Sequence, residues 1–69
     1  MDEVKTFNTW YNEYDRIVYS NILKIVKDPN HVEDILQDVF VALWQNRQLF
    51  SSGRSVAGWL VIDSHNKCL

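Results

Sequence analysis

Apolar side chains recur at steps of three and four along three stretches of this chain, and that period dictates its secondary structure. The first stretch holds Phe7, Trp10, Tyr11, Tyr14, Ile17, Val18, Ile22 and Ile25. Such spacing places the apolar groups on one face of an α-helix. Asn8, Asn12, Asp15, Arg16 and Lys27 fall on the opposite face, so a helix is predicted over 4–27. Val32, Ile35, Leu36, Val39, Phe40, Leu43 and Trp44 repeat the pattern and predict a second helix over 30–47. Its outer face starts acidic, with Glu33, Asp34 and Asp38, and ends on Arg47, an order that suits the helix dipole. A third, shorter stretch holds Val56, Trp59, Leu60 and Ile62 and predicts a helix over 55–69.

The breaks between these stretches are chemical. Pro29 disfavours helical geometry at Asp28, so the first helix ends before that pair. Two starts are open for the second helix. Asn30 and Glu33 have capping-box spacing, and Asp28 could instead cap with Pro29 in the first helical position. From Arg47 to Ser55 the period fails, and Ser51, Ser52 and Gly53 suggest a surface loop, with Ser55 a natural cap for the third helix. No Gly, Pro or cap closes that last helix before Leu69, so it is expected to be cut short.

Composition narrows the class further. Two Gly and one Pro among 69 residues are too few for an all-β fold, which needs many turns. The expected fold is all-α, three helices around one core in a single domain of 1–69, with a radius of gyration of roughly 11 Å. One cysteine, Cys68, excludes an internal disulfide and fits a reducing, cytoplasmic setting. No apolar run reaches the roughly 18 residues of a membrane span, so no membrane partner is expected. The formal charge of −2 does not announce a basic nucleic-acid module, and any basic patch must be local.

Catalysis finds no support in these residues. Asp63, Ser64 and His65 are consecutive, and neighbours on a helix point about 100° apart, so they do not converge as a triad. His65 and Cys68 could offer two metal ligands, but a structural zinc site takes four, and only His31 or scattered carboxylates remain. No Gly-rich phosphate loop is present. Neither an enzyme nor a cofactor is expected.

Two surfaces are more informative. Asp34, Gln37, Asp38 and Val41 share one side of the second helix, either as a solvated face or as a docking surface for a basic partner helix. Phe50 is an aromatic in a polar segment near Arg47, Arg54, His65, Asn66 and Lys67. Aromatics stack on unpaired bases, Asn pairs with base edges, and Arg or Lys contacts phosphates. Equally, Phe50 could tuck beneath the loop and plug the helix ends.

The stretch His31-Val-Glu-Asp-Ile-Leu-Gln-Asp-Val-Phe40 resembles the A-E-D-L-V-Q-E-T-F signature of bacterial RNA polymerase sigma factors. Gly58-Trp-Leu60 followed by His65-Asn66-Lys67 is similar to the W-L-y-r-I-a-r-N segment of the extracytoplasmic-function (ECF) type, and Phe7 to Tyr14 resembles its usual start. The likeness covers residues 5 to 69 and corresponds to the family's region two. It implies an all-α region two domain without catalysis. Asp34, Gln37, Asp38 and Val41 would dock on the clamp helices of the polymerase β′ subunit. Residues 48–54 would form the loop that takes up a flipped base of the minus-ten promoter element. Phe50 and Asn66 fall where the family builds that base pocket, with Asn46 near its wall, and Arg54, His65 and Lys67 would touch the single-strand backbone. The implied partners are RNA polymerase core and the non-template minus-ten strand, with an anti-sigma factor as a further partner in many relatives.

Three departures stand out. Asp63 replaces an apolar residue on the stripe of Val56, Trp59 and Leu60, so it sits at the rim, or has a partner, or the stripe rotates to Trp59, Ile62 and Leu69. The basic continuation of the third helix and a second, minus-thirty-five-reading domain are absent from the sequence, which suggests a fragment or an excised domain. Two other classes compete with the sigma reading: a generic three-helix interaction module with an acidic docking helix, and a helix-turn-helix duplex reader. Against the latter, the 47–55 segment exceeds the usual three- or four-residue turn.

Overall fold

The computed structural model describes residues 3–52 and 55–68. The described residues form three α-helices and one short 3₁₀ helix: α1 (Glu3–Val26), α2 (Pro29–Gln45), the 3₁₀ helix (Arg47–Ser52) and α3 (Val56–Cys68). No strand occurs among the described residues. Every pair of helices is in contact, so the fold is the all-α three-helix arrangement that the apolar period predicts. The 24 residues of α1 span about 36 Å at 1.5 Å per residue, close to the 38 Å long axis of the molecule. The radius of gyration is 11.8 Å.

Chemistry at the α1–α2 junction resolves the two possible starts. Asp28 has extended backbone and its side chain accepts from the Asn30 N–H at 3.1 Å, with Pro29 in the first turn. Asp28 is therefore the cap, and Asn30 lies inside the helix. A side-chain oxygen is needed just before the first turn, and proline follows most easily where its missing N–H is not required. Lys27 turns the chain with φ 73° while its N–H bonds to Leu23 O at 3.2 Å, the left-handed close usually given to glycine.

Val18, Ile22, Val32, Ile35, Val39, Phe40, Leu43 and Leu60 form the core, and all three helices contribute. α2 supplies five of them, and its whole apolar stripe is buried or half-buried. On α1 the stripe is narrower than expected. Phe7, Trp10, Tyr14, Val18, Ile22 and Val26 face inward, whereas Tyr11, Ile17 and Ile25 are exposed. Tyr19 and Leu23, one position after Val18 and Ile22, also pack on the core, so the buried face in this half of α1 is turned towards them and away from Ile17 and Ile25.

α3 settles the position of Asp63. Leu60 and Ser64 are buried, Trp59 and Val56 pack on the core, and Ile62 is 64% exposed, so the stripe does not rotate towards Ile62. Asp63 stays on the stripe's edge, half-buried, with Lys67 as its partner. Ser64 donates its hydroxyl to Val61 O at 3.0 Å, which satisfies it inside the core. Ser55 accepts from the Gly58 N–H at 3.1 Å and begins the helix as expected of a cap. Leu69 lies outside the described residues. Burial pushes the pKa of the Cys68 thiol up, which makes it a poor nucleophile.

Candidate functional site

Two aromatic clusters organise the surfaces of interest. In the first, Phe7 of α1 stands edge-on to Phe40 (6.4 Å between centroids) and Trp44 (5.4 Å) of α2, and Tyr11 lies 4.7 Å from Phe40. These rings lock α1 to α2 and leave a shallow apolar groove between them. Phe7, Tyr11, Gln37, Phe40, Val41 and Trp44 line it. Asp34, Gln37, Asp38 and Val41 are all exposed along the same side of α2, so the row proposed from spacing is a real surface. Gln37 and Val41 belong to both the row and the groove wall. The result is an apolar slot bordered by two carboxylates. That combination suits an apolar side chain carried on a basic segment.

Sequence reasoning missed the α1 half of this groove. Phe7 and Tyr11 look like ordinary stripe residues, and only the 41% exposure of Tyr11 sets it apart. Helical period could not reveal it, because a groove depends on how two helices are set against each other.

The second cluster is centred on Phe50. Its ring stands edge-on between Trp10 of α1 (5.5 Å) and Trp59 of α3 (5.9 Å) and packs against the core. Edge-to-face pairs at such separations favour both contacts beyond simple burial. The segment around it is ordered rather than irregular: residues 47–52 form the 3₁₀ helix where a loop was expected. Arg47 pins its start. The guanidinium lies 4.0 Å over the Trp44 ring, donates to Trp44 O at 2.8 Å, and pairs with Glu3 at the far end of α1.

The remaining residues of the expected DNA-facing set are dispersed around this plug. Asn46 closes α2 as its C-cap, and its side-chain amide donates back to Ala42 O at 2.8 Å. Its amide nitrogen is thus engaged, and the residue is exposed. His65 and Asn66 are exposed on α3. Asn66 lies seven residues past Trp59, about 10 Å further along the helix axis, so it is not brought against Phe50. Lys67 is bound to Asp63, with Nζ 3.1 Å from Oδ1 and 3.0 Å from Oδ2. Arg54 lies outside the described residues.

Among the described residues no three His, Cys, Asp or Glu come together as metal ligands. No helix among them is long and apolar enough to cross a membrane.

Comparison with known proteins accounts for this arrangement. The chain is 26% identical over 68 residues to the ECF RNA polymerase sigma factor SigK of Mycolicibacterium vanbaalenii, covering 97% of this chain and 35% of the relative. It is 32% identical over 57 residues to the ECF RNA polymerase sigma factor SigX of Bacillus subtilis, covering 83% of this chain and 29% of that protein. SigK of Mycobacterium tuberculosis H37Rv is 23% identical over 64 residues, 91% of this chain and 34% of the relative. The chain therefore spans about a third of the length of the curated relatives it matches. No solved structure matches it. The family profile for Sigma-70 region 2 matches residues 10–69, which takes in the Phe50 cluster and the exposed row of α2, and the chain belongs to that family.

Proposed function

We propose that this chain is the part of an ECF-type sigma factor that docks on RNA polymerase and captures the minus-ten promoter element during transcription initiation. The observation that carries the reading is the exposed row Asp34, Gln37, Asp38 and Val41 on α2, within the residues that match region 2. These four groups would meet the clamp helices of the polymerase β′ subunit, with the apolar groove beside them taking an apolar side chain. Carboxylates at the rim supply orientation and association rate more than raw affinity.

The opposite role falls to the 3₁₀ segment and α3. Asn46, Phe50, Arg54, His65, Asn66 and Lys67 form the DNA-facing set. Phe50, held between two tryptophans, supports the base site from beneath, while Asn66 and Asn46, both exposed, read base edges. Arg54, His65 and Lys67 would lie along the single-strand backbone. Unstacking a base costs a few kcal/mol, and each stacking contact returns about 1–3 kcal/mol, so capture favours a strand that is already opening.

Binding measurements with the 69-residue chain test both halves. Asp38→Arg is expected to weaken association with RNA polymerase core at least tenfold and to leave binding of a single-stranded minus-ten oligonucleotide unchanged. Asn66→Ala is expected to do the reverse. A folded chain that binds neither core polymerase nor single-stranded DNA in preference to duplex overturns the proposal. Binding to polymerase alone leaves the interaction-module reading in its place.

A further inference from the structure

We propose that Asp63 is an electrostatic brake on the DNA-facing side of α3, acting by holding the ammonium of Lys67. This rests on the reading of α3 as DNA-facing, and it goes beyond that reading by assigning a role to a residue outside the binding set.

The sequence of α3 carries one fixed cation, Lys67, and one fixed anion, Asp63. The two stand four positions apart with the acid towards the N-terminus, the favoured order for a helical ion pair. Both carboxylate oxygens are engaged by one ammonium. Oδ1 accepts a hydrogen bond at 3.1 Å, and Oδ2 lies 3.0 Å from Nζ as an ion-pair contact only, without an aligned hydrogen bond. Oδ2 is also shut off from solvent while Lys67 is in place. The side chains of Lys67 and Asp63 are 32% and 20% exposed, less open than a free surface pair.

A phosphate approaching α3 therefore meets a net-neutral pair. To contact Lys67 fully it must compete with Asp63, and it is repelled by the same carboxylate. Backbone contact is restrained, and binding at this face leans on Asn66 and His65, which are exposed on the same helix. A face of this kind shows a shallow dependence on salt, because little counterion is released.

Asp63→Asn keeps the shape and removes the charge. Fluorescence anisotropy with a short A/T-rich single-stranded oligonucleotide, across a salt series, reads the consequence. At about 50 mM salt the variant is expected to bind about two- to fivefold more tightly than the parent chain. Its log–log salt slope is expected to steepen by about 0.7, the value for one further phosphate neutralised on a single strand. In a Lys67→Met background both changes should vanish, since the freed charge is no longer there. Asp63→Ala serves as a second removal of the carboxylate should the amide re-engage Lys67, and helical circular dichroism confirms that each variant is folded. Binding by the parent chain with no change in slope in either variant overturns the brake and leaves the DNA-facing reading standing. A gain that persists without Lys67 overturns it as well. If no folded variant binds the single strand, the DNA-facing reading fails and the brake with it.

Discussion

α2 and α3 are almost equally apolar on average, yet they use their apolar residues in opposite ways. α2 gathers Val32, Ile35, Val39, Phe40 and Leu43 on one buried face and leaves Asp34, Gln37 and Asp38 in water. α3 buries only Leu60 and Ser64 completely, places Asp63 at the edge of its stripe, and leaves Val61 and Ile62 exposed. The contrast separates two jobs within one small core. α2 is the keystone in that it supplies most of the buried core, and its outer face is free to carry a charge pattern. α3 holds its place through Leu60 and the aromatic contact of Trp59 with Phe50, with looser demands on the rest of its surface.

The largest effect that could break this comparison lies in α2. Leu43 is fully buried, and Leu43→Ala is expected to cost about 3 kcal/mol through lost burial and the cavity left behind. A core of this size supplies only about 3–5 kcal/mol in total, so the variant should keep no more than about 2 kcal/mol and melt at a much lower midpoint by circular dichroism. If it melts like the parent chain, α2 is not the keystone. Asp63→Leu probes α3 from the other side. An apolar group at the edge of the stripe should stabilise the fold by about 1 kcal/mol, the burial gain exceeding the few tenths lost with the Lys67 ion pair. A fall in midpoint under urea would show that the ion pair, and not the stripe, holds that end of α3. Next comes Asp28→Ala, which removes the cap of α2 and should cost about 1 kcal/mol in the same assay.

The same contrast governs how much could be read from sequence. α2 was legible because one period served one purpose: each apolar residue at its spacing is buried or half-buried, and the polar residues between them are exposed. α3 was only partly legible, because Asp63, Ser64 and Ile62 obey contacts that no period encodes. Asp63 depends on Lys67, and Ser64 on the carbonyl of Val61. The start of α2 was undecided between two side-chain caps until backbone geometry chose Asp28. The exposed row of α2 followed from spacing alone. The groove beside it did not, since it exists only where Phe7 and Tyr11 of one helix meet Phe40 and Trp44 of another. Phe50 had two readings in sequence, a plug beneath the loop or a platform for a base. Its rings on either side explain why both were reasonable, for an aromatic held edge-on by Trp10 and Trp59 seals the helix ends and firms the surface above it.

The smallest expected effect is the sharpest test of α3's looser packing. Ile62 is 64% exposed on a helix whose neighbours Leu60 and Ser64 are wholly buried. Little apolar area leaves water when it folds, so Ile62→Lys should change stability by no more than about 0.5 kcal/mol in either direction. Lysine is also the better helix former by a few tenths of a kcal/mol, which offsets what packing is lost along its stem. The new ammonium would stand one turn before Asn66 on the same face, adding a cation that Asp63 does not already hold. Urea denaturation should therefore show an unchanged midpoint, while single-strand affinity at low salt rises and falls off more steeply as salt is added. A loss of more than about 1 kcal/mol would mean that Ile62 is packed in solution, and the division between a keystone helix and a permissive one would have to be redrawn.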